Sequence, residues 1–164
     1  MVFSNQTPAA GDGLVYSGAG RVGGGAVRLK AGQGTVTAEE AYFDPRLPTA
    51  IGGTVLVGAY LYGTSQTMMC EDYKTGQVKW NERSVGPASL LYADGLLYMH
   101  GENGEVALIE ASPEAYRERG RLTASTPPSH KAMEQSWAYP VIADGRLYVR
   151  DSDTMWCYDI RASK

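Results

Sequence analysis

Few places in this chain of 164 residues combine the side-chain types and spacing that catalysis or metal binding needs. Histidine is present twice, as His100 in "LLYMHG" and His130 in "TPPSHKAMEQSW". A general base needs an orienting partner and a substrate pocket, and neither segment implies them, so both rings are expected in solvent. Ser129 beside His130 is no catalytic pair, because sequence neighbours do not face each other as nucleophile and base must. Cys70 and Cys157 stand outside any CxxC or CxxCH pattern. They occupy corresponding places in "MMCEDY" and "MWCYDI", and are expected to be small buried hydrophobes in separate units. Asp151 and Asp153 in "RDSDT" offer hard oxygens, but a calcium loop requires more of them at set spacing, so a polar turn between strands is expected. Gly18, Gly20 and Gly23 satisfy GxGxxG, with Glu39 at a tempting later distance. That fingerprint works only where a helix N-terminus comes next to hold a pyrophosphate. The succeeding residues, "GGAVRLKAGQG", have no helical period, so a glycine-rich hairpin loop is expected. No catalytic, cofactor-binding or metal-binding residue is assigned, and no cofactor.

Composition narrows the partners. A net charge of −3 and a pI near 5.4 give no clustered cationic face for phosphates, so nucleic acid is not an expected partner. No run approaches the 18 or more apolar residues of a membrane-spanning helix. "MVFSNQTPAAGDG" lacks the basic start and apolar stretch of a secretory signal. Glycine makes up 20 of 164 residues, and eleven tyrosines stand beside two phenylalanines. Both biases suit many short strands joined by tight turns.

The elements that would position any site emerge from a repeat. "GDGLVYSG", "GAYLYGTS", "ADGLLYMH" and "ADGRLYVR" each place a turn dipeptide before an aliphatic-Tyr pair. Tyr16, Tyr62, Tyr98 and Tyr148 are 46, 36 and 50 residues apart, a period that belongs to propeller blades. An acidic residue keeps step: Asp72 follows Tyr62 by 10 residues, Glu110 follows Tyr98 by 12, and Asp159 follows Tyr148 by 11. Asp94-Gly95 and Asn103-Gly104 between apolar runs are hairpin signals, glycine supplying the positive φ of the turn. The pattern predicts strands near 54–57, 60–63, 67–72 and 77–81, then near 88–92, 96–100, 105–110 and 116–122. In the last unit it predicts 138–142, 146–150 and 154–160. "SPEAYRERG" is read as one helical turn, with Ser112 as cap and Pro113 in the first turn.

Within "CEDYKTGQVKW", Asp72 closes a third strand, Lys74-Thr75-Gly76 makes the turn, and Trp80 lies on the returning fourth strand. A tryptophan burying about 150–250 Å², at about 25 cal/mol per Å², contributes at most roughly 4–6 kcal/mol. It is read as a clasp between neighbouring blades.

The string resembles the PQQ-type propeller repeat, whose tryptophan-docking pattern runs Asp, two residues, Thr-Gly, three residues, Trp. Here those positions are Asp72, Thr75, Gly76 and Trp80. More narrowly, "VLVGAYLYGT", "GPASLLYADGLLYMHGENGEVALIEA" and "YPVIADGRLYVRDSDTMWCYDI" are similar to the carboxy-terminal blades of secreted bacterial PQQ-like, or outer-membrane-assembly-like, propellers. The resemblance implies a piece of a longer protein that is periplasmic or secreted. Where relatives carry a histidine pair before a Gly-Gly and a histidine before a proline, all near the axis, this chain has Ala50-Ile51 and Tyr139. Quinone dehydrogenases of this fold carry adjacent cysteines, and this sequence has no such pair.

The expectation is an all-β partial propeller in a single domain. It comprises about four antiparallel four-stranded blades, near 8–44, 49–82, 87–122 and 137–164, the last lacking its outer strand. The functional reading is a non-catalytic scaffold binding a protein or ligand. The alternative is part of a PQQ-dependent alcohol dehydrogenase. Partners would be further blades of the same ring or another protein, with self-association through open sheet edges. The candidate binding loop, residues 123 to 138, carries His130, Lys131, Glu134 and Trp137.

Overall fold

The structure, a computed structural model, describes residues 6–20, 22–123 and 136–161. Fifteen strands form four antiparallel sheets, and no helix occurs among the described residues. None is therefore long and apolar enough to cross a membrane. The first sheet holds β1 (Ala9–Gly11), β2 (Leu14–Ala19), β3 (Gly23–Ala31) and β4 (Val36–Asp44). The second holds β5 (Thr54–Val57), β6 (Tyr60–Thr64), β7 (Met68–Asp72) and β8 (Val78–Glu82). The third holds β9 (Ala88–Ala93), β10 (Leu96–Gly101), β11 (Glu105–Glu110) and β12 (Glu118–Thr123). The fourth has three strands, β13 (Val141–Ala143), β14 (Arg146–Asp151) and β15 (Thr154–Asp159). Each sheet is a meander in chain order, and the whole is a partial β-propeller whose last blade has no outer strand among the described residues.

Turn chemistry explains the meanders. Asp12-Gly13, Asp94-Gly95 and Asp144-Gly145 join first to second strands with φ of 48° and 73°, 49° and 79°, and 51° and 69°. Two consecutive left-handed residues match the twist of a tight hairpin, and Asp-Gly tolerates them. Alternation along the strands then sends each sheet's side chains to two neighbours. Tyr16, Ala26, Leu61, Met69 and Tyr73 fill the space between the first and second sheets. Tyr62, Cys70, Trp80, Leu97, Met99 and Ile109 fill that between the second and third. Tyr98, Val106, Leu147 and Val149 do the same between the third and fourth. None of the described sheets covers the two end faces, and Phe43 on the first sheet and Met155 on the last are exposed.

Several local expectations need correcting. The glycine-rich run is strand: Gly24 and Gly25 pair with Gly18 and Ser17 inside the β2–β3 ladder. A Cβ on Gly24 would lie 2.1 Å from the Tyr16 hydroxyl, and one on Gly18 would lie 2.4 Å from the Pro48 carbonyl. The glycines serve close packing there. No helical turn forms after Ser112; its hydroxyl accepts from the Glu114 amide at 3.3 Å, and β12 comes next. The strand preceding the last Asp-Gly turn begins at Val141, later than its predicted start. Cys157 is exposed while Cys70 is buried. Both do occupy the same register position, Cys70 opposite Tyr62 and Cys157 opposite Tyr148. The difference is that none of the other described sheets covers the outward face of the fourth.

Candidate functional site: the interblade clasp and the inner rim

Asp72 ends β7 and organises the turn into β8. Its Oδ1 accepts from the Lys74 amide at 3.1 Å, the Thr75 amide at 3.0 Å and the Thr75 hydroxyl at 2.9 Å. Burial pushes this carboxyl up, but the bonds from Thr75 and Lys74 outweigh it and hold it below its ordinary value. The Gly76 amide reaches back to the Asp72 carbonyl at 2.8 Å, and Gly76 has a φ of 70°. A Cβ there would meet the Tyr42 ring at 2.5 Å, so both conformation and packing require glycine.

Trp80, on β8, reaches the third sheet. It is 9 % exposed, and its Nε1 donates to the Ser112 carbonyl at 2.8 Å. Its ring lies edge-on to Tyr116 at 5.8 Å and tilted against Tyr62 at 6.1 Å. The ring therefore lies between the Tyr62 side of its own sheet and the next one, with its single polar atom satisfied.

Register identifies the counterparts of this ring. Across three strands, Tyr62 pairs with Cys70 and Cys70 with Trp80. In the first sheet the same positions are Tyr16, Ala26 and Tyr42, and in the third they are Tyr98, Leu108 and Gly120. An irregularity succeeds each triple at the same step, at Ala26/Val27, Cys70/Glu71 and Leu108/Ile109. Tyr42 does for the first junction what Trp80 does for the second. It sits 6.4 Å from Tyr16 and donates its hydroxyl proton to the Tyr73 carbonyl at 3.0 Å. Sequence reasoning missed Tyr42 and Gly120, because strand and loop lengths differ between repeats and only the pairing register exposes the equivalence.

One buried group at the first junction has no partner. Glu71 is fully buried on β7, and neither of its carboxylate oxygens has a hydrogen bond. Burial drives its pKa up to about 8; the nearby Tyr42 hydroxyl opposes the shift and the Asp44 charge reinforces it. Tyr42 offsets the burial only in part, since its proton is directed at the Tyr73 carbonyl.

At the inner rim, where first strands begin, His100 is fully buried, contrary to the solvated expectation. Its Nδ1 lies 3.0 Å from the Ala138 carbonyl and its Nε2 lies 3.3 Å from the Ser136 hydroxyl. The Ser89 hydroxyl donates to the Trp137 carbonyl at 3.1 Å, and Trp137 Nε1 donates to Glu102 at 3.2 Å. The third sheet thus pins the segment leading into β13. Its aromatics remain outside, Trp137 at 51 % and Tyr139 at 45 % exposure. A Cβ on Gly53 would lie 3.2 Å from the Tyr139 hydroxyl and 3.7 Å from the Thr7 carbonyl. Gly53, close after Ala50-Ile51 in the chain, and Tyr139 therefore converge at this rim. His130, Lys131 and Glu134 lie outside the described residues. Asp151 is buried at the end of β14 and Asp153 lies in the turn after it; no group of potential metal ligands occurs among the described residues.

No protein-family model matches the chain, and no curated protein matches it in sequence. Among solved structures, BamB from Moraxella catarrhalis superposes with a TM-score of 0.66 at 11 % identity, covering 95 % of this chain and 44 % of its own. The computationally designed Ika8 protein superposes with a TM-score of 0.54 at 15 % identity, covering 94 % of this chain and 58 % of its own. The chain spans about half the length of the solved structures it matches. This likeness shows the fold, an all-β succession of propeller blades.

Proposed function

We propose that this chain is part of a larger PQQ-like propeller of the tryptophan-docking kind, periplasmic or secreted, that works as a non-catalytic scaffold. Its blades are those near 8–44, 49–82, 87–122 and 137–164, and Asp72, Thr75, Gly76 and Trp80 are its repeat motif. Its partner is a polypeptide, bound at the inner rim by Trp137 and Tyr139; His130, Lys131 and Glu134, which precede them in the sequence, are proposed as further contacts. The observation that carries this reading is the pairing of rigidity with exposure. Main-chain carbonyls at Trp137 and Ala138 are fixed by Ser89 and the buried His100, while the rings of Trp137 and Tyr139 face solvent. Exposed aromatics on a pre-ordered frame bind at low entropic cost and are the usual anchors of interfaces.

Selection of a random peptide library on the chain tests the proposal. Peptides recovered on the unmodified protein should bind at least ~10-fold more weakly to the Trp137→Ala, Tyr139→Ala double variant, with the unfolding midpoint little changed. Dye-linked alcohol oxidation by the chain after addition of quinone and calcium would overturn the scaffold reading in favour of the dehydrogenase alternative.

A further inference from the structure

We infer that the cleft between the third and fourth sheets is a docking slot for one tryptophan side chain of a partner polypeptide. The inference rests on the scaffold reading and adds to it a second contact point, away from the inner rim. Two of the three junctions are closed by an aromatic ring from the outer strand, Tyr42 and Trp80. At the third, the equivalent residue is Gly120. Among the described residues, a Cβ on Gly120 would have nothing within 4 Å. The cleft that results is about 240 Å³, and its lining includes Tyr98, Leu108, Leu122, Leu147 and Ile160 besides Gly120 and the neighbouring Arg121. Tyr98 presents here the ring that Tyr16 and Tyr62 present to Tyr42 and Trp80.

The far wall matches as well. The Ile160 amide donates to the Gly145 carbonyl at 3.0 Å, as the Tyr73 amide does to Ala59 and the Ala111 amide to Gly95, both at 2.9 Å. Ile160 therefore stands where Tyr73 stands in the second sheet and Ala111 in the third. In those sheets the Tyr73 carbonyl and that of Ser112, one residue beyond Ala111, accept the proton of the clasp ring. The chain at Ile160 and Arg161 puts main-chain carbonyls at the same station. A slot with apolar walls, one aromatic wall and carbonyls at its far end calls for a planar apolar group with a donor on its edge. That is an indole.

The probe is N-acetyl-tryptophanamide, titrated into isotope-labelled protein with N-acetyl-leucinamide as the apolar control. The tryptophan probe should saturate with a dissociation constant on the order of 1 mM, as expected of a fragment of that size. It should show NOEs to the methyls of Leu108, Leu122 and Leu147. Gly120→Trp, which supplies the missing ring from the chain itself, should weaken probe binding at least ~10-fold. Equal binding of the leucine control, NOEs to other methyls, or unchanged binding to a folded Gly120→Trp variant would each overturn the slot. Should that variant fail to fold, the NOEs on the unmodified chain decide. Peptides from the library selection that lose affinity on the Trp137, Tyr139 double variant but not on Gly120→Trp would overturn the slot and leave the inner-rim scaffold standing.

Discussion

The Glu71 carboxyl should make the stability of this protein fall as pH rises through neutrality, against the usual behaviour of acidic side chains. In the fold it holds its proton up to about pH 8, where an ordinary glutamate has a value of 4.5. Burial without a hydrogen-bond partner is the cause. Because the folded state binds the proton more tightly, the contribution is neutral below the unfolded value, where both states are protonated. It becomes increasingly unfavourable between pH 4.5 and pH 8 and is constant above that. At ~1.4 kcal/mol per tenfold in proton affinity, the loss is roughly 3 kcal/mol at pH 7 and roughly 5 kcal/mol above pH 8. Glu71→Gln keeps the shape and abolishes the titration. Urea unfolding followed by tryptophan fluorescence, at pH 4.5, 6, 7 and 8, separates this group from the rest. Asp44, Asp72, Glu110, Glu118 and Asp159 are held below their ordinary values by hydrogen bonds or ion pairs. They lower stability as pH falls, equally in both proteins. The difference in stability between variant and parent should therefore grow by roughly 3 kcal/mol from pH 4.5 to pH 7. Parallel pH profiles for the two proteins would refute the reasoning.

Three other outcomes are expected. Trp80→Ala should cost about 3–5 kcal/mol, as buried tryptophan truncations do, while Trp137→Ala should cost less than about 1 kcal/mol; equal shifts of the denaturant midpoint would remove the clasp. In thiol labelling under native conditions, Cys157 should react at least ~100-fold faster than Cys70, which is buried and whose thiol burial pushes up to about 11; mass spectrometry of the labelled peptides reads the ratio. The isolated chain should self-associate through the open edge of β15 and the exposed end faces bearing Phe43 and Met155. Light scattering that finds only an 18 kDa monomer, with amides of β15 as protected from exchange as those of β10, would contradict this.

Strands and turns were legible in the sequence because their causes are local. Asp-Gly dipeptides fix tight hairpins through left-handed φ values, alternation sets which residues face inward, and the tyrosine period sets the number of sheets. The Asp72 turn was legible for the same reason, since its bonds join residues close in sequence, from Asp72 to no further than Gln77. Burial of His100, exposure of Cys157 and the extended glycines of β3 were not legible. Each depends on what packs against the residue: the segment at Ser136 and Ala138 covers His100, none of the described sheets covers Cys157, and Tyr16 leaves no room for a side chain at Gly24. The equivalence of Tyr42, Trp80 and Gly120 was hidden as well. It rests on pairing partners distant in sequence, and loops of unequal length erase it from any fixed spacing. Local conformational chemistry thus set the strands, the turns and their repetition. Only packing between sheets decided which junctions are closed by an aromatic ring, which one stands open, and where a carboxyl is buried without a partner, because desolvation and volume are properties of the assembled neighbours rather than of any segment alone.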